Sequence, residues 1–224
     1  MRWVRGRRRT LGVTLLAGAA GYALSWMVVS LAILLMSESA RASERIEGPP
    51  PVSLPGVKNF AYVDGRLWRG AAPTAEGYRG LARRGVRTVV DLRAEDLPAS
   101  SLALPGRAGL AAVRIPMRDG QAPSAEQVQR FMDAVRRARG PVFVHCGAGV
   151  GRTGTMAAAY LVRTGQADAA TATARSLAIG PPTLEQVSFM RGLDGRRAAR
   201  PPAAVVALSR IADSPRRSWA RLHW

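Results

Sequence analysis

The chain's single cysteine, Cys146, closes an apolar run, Pro141-Val142-Phe143-Val144-His145, and is followed at once by Gly147-Ala148-Gly149-Val150-Gly151-Arg152-Thr153. Three alternating glycines between a buried strand and the start of a helix make a turn whose backbone N–H groups can converge on one anion. The partial positive charge of the helix N-terminus lies behind them. A guanidinium at Arg152 can then take two oxygens of that anion with its planar fork. The same field acts on sulfur. A free thiol titrates near about 8.5, and one at a helix N-terminus beside a guanidinium falls to roughly 3.5–7.5, so Cys146 is expected to be a thiolate at neutral pH. A thiolate in a phosphate cradle is equipment for phosphoryl transfer. The Cys–Arg pair alone carries little weight, because all but Lys58 of the 33 basic residues are arginine. The strand, the glycines and the helix around the pair carry it, and a cysteine that merely fills a core explains none of those glycines.

The elements that must position this loop are readable from periodicity and punctuation. Residues 60–63 and 66–68 flank Asp64-Gly65, a pair that supplies the positive backbone angles of a tight hairpin turn. A helix is expected over 74–84. Residues 86–92 and 110–115 are short apolar runs that read as buried strands, as does 141–145. Ser124-Ala125-Glu126-Gln127 has capping-box form, and its helix runs to Arg139 before Gly140. Helices follow over 152–163, 168–178 and 183–193. Alternating strands and helices define an α/β domain whose central sheet is covered on both faces.

The length of 224 residues with 47% hydrophobic and 21% charged residues excludes a disordered chain and a multi-pass membrane protein. The net charge of +18 would suit nucleic acid, but an arginine bias this uniform is a chain-wide habit rather than a binding face, and nucleic acid is not the expected partner. Cys146, His145 and His223 are the only cysteine and histidines, so no intramolecular disulfide and no structural zinc site can form; the expected catalysis is metal-independent and needs no cofactor. Residues 1–9 carry five arginines, and 10–36 contain no charge. That stretch is long enough for a membrane anchor, with the basic end cytoplasmic and the remainder outside. The alternative is a cleaved export signal, since Ala40-Arg41-Ala42 has signal-peptidase form and Arg7-Arg8-Arg9-Thr10-Leu11 faintly resembles a twin-arginine motif. Residues 37–56 read as a Pro/Ser-rich linker, 57–193 as the folded domain, and 194–224 as a solvated Arg/Trp-rich tail. In that tail Arg196, Arg197, Arg200, Arg210, Arg216, Arg217 and Arg221 interleave with Trp219 and Trp224.

The loop resembles the signature of the cysteine-dependent protein phosphatases, His-Cys followed by five residues and then Arg-Ser/Thr. The resemblance extends over about 57–193, through Asn59-Phe60, Leu67-Trp68-Arg69, the run 89–93 and the segment 183–190. The domain's size is similar to the compact dual-specificity branch, in its atypical bacterial, plant and fungal form, which implies a central mixed sheet flanked by helices, here behind an N-terminal transmembrane helix. It implies an enzyme in which Cys146 attacks phosphorus, the backbone of Gly147, Ala148, Gly149, Val150 and Gly151 with Arg152 holds the phosphoryl oxygens, and Thr153 donates to the departing sulfur. His145 is expected to order the loop from behind. The family also needs a proton donor on a loop about thirty residues upstream, which is matched by Asp119, followed by Gly120; Asp91 and Asp96 are the competitors. Arg93 and Arg118 are expected to add positive charge at the rim, and Gln186 reads as a helix-surface residue, with positioning of the loop or of water as its alternative role. The implied substrate is a phosphorylated protein, with a phospholipid such as a phosphoinositide or phosphatidylglycerol phosphate, or a catalytically silent phosphate-binding role, as alternatives.

Overall fold

The apolar run leading to Cys146 lies at the centre of a five-stranded sheet in the computed structural model, which describes residues 2–47, 52–195 and 200–213. A long helix α1 (Arg2–Glu47) precedes strands β1 (Ala61–Tyr62) and β2 (Leu67–Ala71), helix α2 (Ala75–Arg83) and strand β3 (Thr88–Arg93). Two single-turn helices, α3 (Ala99–Leu102) and α4 (Leu104–Arg107), lead to β4 (Ala111–Met117), α5 (Ala125–Arg137) and β5 (Val142–Cys146). Helices α6 (Gly151–Arg163), α7 (Ala169–Ile179), α8 (Leu184–Arg191) and α9 (Ala203–Ala212) complete the described elements.

The strand order is β1-β2-β5-β3-β4. Only β1 runs antiparallel to its neighbour, so the sheet is mixed, as expected. β5 is buried along its whole length because it is covered on both faces, which is why its sequence is continuously apolar. Successive side chains serve opposite cores. Val142 and Val144 join Phe131, Met156, Phe189 and Met190 beneath α5, α6 and α8. Phe143 joins Val57, Trp68, Tyr78 and Leu81 beneath α2. Each such side chain contributes roughly 1.5–3 kcal/mol by leaving water.

Helix starts follow their caps. Thr74 and Asp168 cap α2 and α7, and reciprocal capping boxes form at Ser124/Gln127 and Thr183/Gln186. The expected hairpin turn forms by other means. Gly65 is absent from the left-handed region, and the Asp64 carboxylate instead accepts the amides of Arg66 at 2.8 Å and Leu67 at 2.6 Å.

Two further expectations are corrected. Helix α1 continues to Glu47, so residues 37–47 are helical rather than extended linker. Their alanines, glutamates and arginines are good helix formers, and a stripe of Ile33, Met36, Ser37 and Ala40 packs on the domain beside α7. Arg41 Nε donates to the Ala178 carbonyl at 3.2 Å. In the tail, residues 203–212 form α9 rather than solvated coil, and Tyr22 of α1 donates its hydroxyl to the Ile211 carbonyl at 2.9 Å. Arg196, Arg197, Arg216, Arg217, Trp219, Arg221 and Trp224 lie outside the described residues. Within α1, the stretch Leu16–Ser43 has mean hydropathy 1.9 and is long enough to cross a membrane.

Candidate active site

Every sequence-predicted site residue except His145 follows or terminates the C-terminal end of a parallel strand. Cys146 ends β5, Asp119 follows β4, and Arg152 lies in the first turn of α6. β5 pairs in parallel with β2 on one side and β3 on the other, so the site lies outside the carboxyl ends of the parallel strands, where open α/β sheets bind ligands.

The loop after Cys146 is tied down by its carbonyls. Ala72 N–H donates to Gly147 O at 3.0 Å, Asn59 Nδ2 to Ala148 O at 2.9 Å, and Arg69 Nη2 to Gly149 O at 2.8 Å. With the carbonyl edges held by the scaffold, Gly149 N–H is directed to Cys146 Sγ at 3.3 Å. Gly149 has φ 74°, and a Cβ there would lie 2.3 Å from the Gly70 carbonyl carbon, so both backbone angle and close approach to β2 demand glycine. At Gly151 the crowding comes from the Gln186 side chain, whose Oε1 would lie 2.5 Å from an added Cβ. Arg69 belongs to the buried strand β2 beside this loop. It is fully buried beneath the loop, burial pushes its pKa down to about 10, and its Nε has no hydrogen-bond partner.

Arg152 is gripped from the opposite side. Glu95 takes Nη1 and Nη2 at 2.8 Å each, the Met117 carbonyl takes Nη1 at 3.1 Å, and Asp119 Oδ1 stands 3.2 Å from Nε. The Asp119 contact is an ion pair without hydrogen-bond geometry. Burial disfavours the guanidinium charge, but Glu95, with Asp119 and Cys146, outweighs it and raises the Arg152 pKa. Burial likewise pushes Glu95 up, and the bonds from Arg152 bring it below the usual carboxylate value. Sequence reading missed Glu95, which lies in an irregular segment after β3 and carries no motif.

His145 lies completely buried behind the loop. Its Nδ1 is 3.2 Å from the Cys146 carbonyl and its Nε2 3.3 Å from the Tyr78 hydroxyl. Burial depresses its pKa to about 4, against the pull of Asp91 at 4.0 Å, so the ring is neutral near pH 7. A neutral ring donates from Nδ1 and accepts the Tyr78 hydroxyl at Nε2. Burial also raises the Tyr78 pKa to about 12, keeping that hydroxyl a donor. Asp91, the competing acid, is bound by Arg93 Nη2 at 2.8 Å and by the Arg93 amide at 2.9 Å. It therefore orders its neighbourhood, and Arg93, expected at the rim, is committed to it. Asp96 and Arg118 are exposed.

Asp119 sits with its side chain half exposed on a loop turned by Gly120, φ 76°. Three bonds from the start of α8 hold this loop. Thr183 Oγ1 donates to Gly120 O at 2.6 Å, Gln186 Nε2 to Gln121 O at 3.3 Å, and Ala122 N–H donates to Glu185 Oε1 at 3.0 Å. Gln186 is thus a buried connector rather than a surface residue, because the acid loop covers that side of α8. Thr153 Oγ1 is buried with no hydrogen-bond partner and makes no bond to Cys146 Sγ in this structure; the sulfur is met by Gly149 N–H instead. Among the described residues no group of three or more His, Cys, Asp or Glu is placed to hold a metal ion.

A mixed sheet with a Cys-x5-Arg loop between its central strand and the helix behind it is the architecture of the compact, dual-specificity-type phosphatases. The chain belongs to the family described as "DSP-PTPase phosphatase fused to NAD+ Kinase", whose model matches residues 58–192. Among curated proteins it is 40% identical over 96 residues to the probable NAD kinase 2, chloroplastic, of Oryza sativa, and 38% identical over 78 residues to the tyrosine-protein phosphatase cdc-14 of Caenorhabditis elegans. These matches cover 40% and 35% of the chain and 10% and 11% of the relatives, so the chain spans about a tenth of the curated proteins it matches. Among solved structures, P. aeruginosa TpbA superposes with TM-score 0.54 at 25% identity, over 70% of this chain and 92% of TpbA. The core catalytic domain of the S. cerevisiae PP-IP phosphatase SIW14 gives 0.56 at 19% identity, over 73% and 96%, a likeness of fold. The described domain thus has the fold of the dual-specificity and tyrosine phosphatases.

Proposed function

We propose that the chain hydrolyses phosphomonoesters through a phosphocysteine intermediate, acting on tyrosine or dual-specificity phosphoprotein substrates while tethered to a membrane by α1. The observation that supports it best is the meeting of Cys146 Sγ, the Gly149 N–H, the Arg152 guanidinium and the Asp119 carboxylate at the C-terminal end of the central strands. In this reading Cys146 Sγ attacks phosphorus as the P–O ester bond breaks, and Asp119 gives its proton to the departing oxygen. Water then attacks the phosphocysteine, Asp119 takes a proton from it, and inorganic phosphate leaves with the thiolate restored. Backbone N–H groups of 147–151 and Arg152 hold the equatorial oxygens throughout. Thr153, whose buried hydroxyl has no other partner, donates to the sulfur as it departs. Phosphate must displace the Glu95 and Asp119 carboxylates from part of the guanidinium, and Glu95 keeps that group oriented until it does. His145 holds the Cys146 carbonyl and transfers no proton.

A phosphoprotein substrate is favoured by TpbA, solved in complex with pTyr at 25% identity to this chain, and by the tyrosine-protein phosphatase of C. elegans. A phospholipid substrate is the second reading, favoured by the proposed tether through the apolar helix α1, which holds the site at a lipid surface. Phosphate release by the full chain from phosphotyrosine peptides, phosphoserine peptides and lipid phosphates tests both. The expected result is turnover of the phosphotyrosine peptide, abolished by Cys146→Ser. Preference for lipid would select the second reading, and no turnover across a pH series would leave only a phosphate-binding module.

The proposed topology places the arginines of 1–9 in the cytoplasm and the domain outside. Packing of Met36, Ser37 and Ala40 on the domain favours retention of α1 over cleavage near Ala42. High activity of a cytoplasm-dependent reporter fused to the C-terminus would refute this orientation.

A further inference from the structure

The loop that carries Asp119 is held by a carboxylate that the catalytic scheme does not use. Glu185 occupies the first turn of α8, where an acidic side chain is ordinarily solvated and serves the helix dipole. Here it is buried, and a buried carboxylate is tolerated only when its oxygens are taken up by donors. Oε1 accepts the Ala122 amide, three residues beyond Asp119, at 3.0 Å. Oε2 pairs with Arg210 Nε of α9 at 3.1 Å, and the Glu185 amide donates to Ser209 Oγ of α9 at 3.1 Å. Ser209 is itself buried and donates to Asp213 Oδ2 at 3.3 Å.

Thr183 and Gln186 bind carbonyls of the same loop, but both belong to the capping box of α8 and are fixed by it. Glu185 differs in that it joins the loop to α9. We propose that Glu185 is a positioning residue for the general acid: braced by Ser209 and Arg210 of α9, it fixes through Ala122 the loop from which Asp119 reaches the leaving oxygen. This rests on the reading of Asp119 as the acid. The C-terminal helix is thereby part of the proton-delivery apparatus although it touches neither Cys146 nor Arg152.

The experiment compares phenyl phosphate, whose leaving group needs a proton, with p-nitrophenyl phosphate, whose leaving group needs one far less, using the full chain in detergent. Asp119→Asn sets the reference, a selective loss on phenyl phosphate of about 100-fold or more. Glu185→Ala is expected to lower kcat on phenyl phosphate by about 10-fold or more, with little change on p-nitrophenyl phosphate or in inhibition by inorganic phosphate. It should add nothing in the Asp119→Asn background. Arg210→Ala and Ser209→Ala, which leave the Glu185–Ala122 bond in place, should show a smaller loss of the same selectivity and decide the matter if Glu185→Ala does not fold. Equal losses on both substrates, or additivity with Asp119→Asn, overturn the positioning role and leave Glu185 a stability residue. An Asp119→Asn variant without selectivity overturns the acid assignment itself, and the brace with it.

Discussion

A methyl group at residue 149 would stand 2.3 Å from a backbone carbon of β2 and 2.4 Å from the next amide nitrogen, and neither can retreat without opening the sheet. Gly149→Ala is therefore expected to cost about 1–3 kcal/mol from backbone strain and overpacking, read as a lower urea midpoint. At Gly147 a methyl meets only the end of the Arg152 side chain at 3.8 Å, so Gly147→Ala should leave that midpoint nearly unmoved. The two glycines look alike in sequence and differ in backbone angle and in what lies behind them. For Arg152→Lys the expectation concerns rate. An ammonium cannot keep the two-pronged contact with Glu95 and present a fork to phosphate as well. kcat/KM should fall by about 10²–10³-fold, on the scale of one lost transition-state donor, with thermal stability changed far less.

At the scale of elements, β5 carries a pH-sensitive liability. Its His145 is neutral in the fold, with a pKa near 4, against 6.5 for a free histidine. Below pH 6.5 the unfolded chain therefore binds a proton that the folded chain refuses, and stability declines as pH falls until the folded group titrates near pH 4. The slope is about 1.4 kcal/mol per pH unit and the total about 3 kcal/mol. Urea midpoints measured across that window should show the decline, and His145→Asn should flatten it. The elements themselves were largely legible, because Thr74, Ser124, Asp168 and Thr183 announce their helices with side chains that reach back to the first turn. α9 was not: it begins after Pro202 with no side-chain cap, so nothing local marks its start. Cys146, Arg152 and Asp119 were legible because their spacing expresses a loop and a strand end. Glu95 and Glu185 were not, since their partners lie 57 and 63 residues away along the chain and no short pattern encodes such pairs.

At the scale of the whole molecule, α1 is both an apolar stretch fit to cross a bilayer and a packed part of the catalytic domain. Removing it would uncover the domain surface that receives Ile33, Met36, Ser37 and Ala40. A chain starting near residue 50 is expected to lose stability by about 2–5 kcal/mol, the scale of one or two large apolar side chains lost from a core, and to show a lower midpoint than the full chain in the same detergent. The solitary thiol has a different consequence. Once an oxidant converts the Cys146 sulfur to a sulfenic acid, no second cysteine anywhere in the sequence can capture it as an internal disulfide. Reduction then depends on a thiol supplied from outside, so the redox chemistry of the surroundings governs how long the sulfur stays available as the proposed nucleophile.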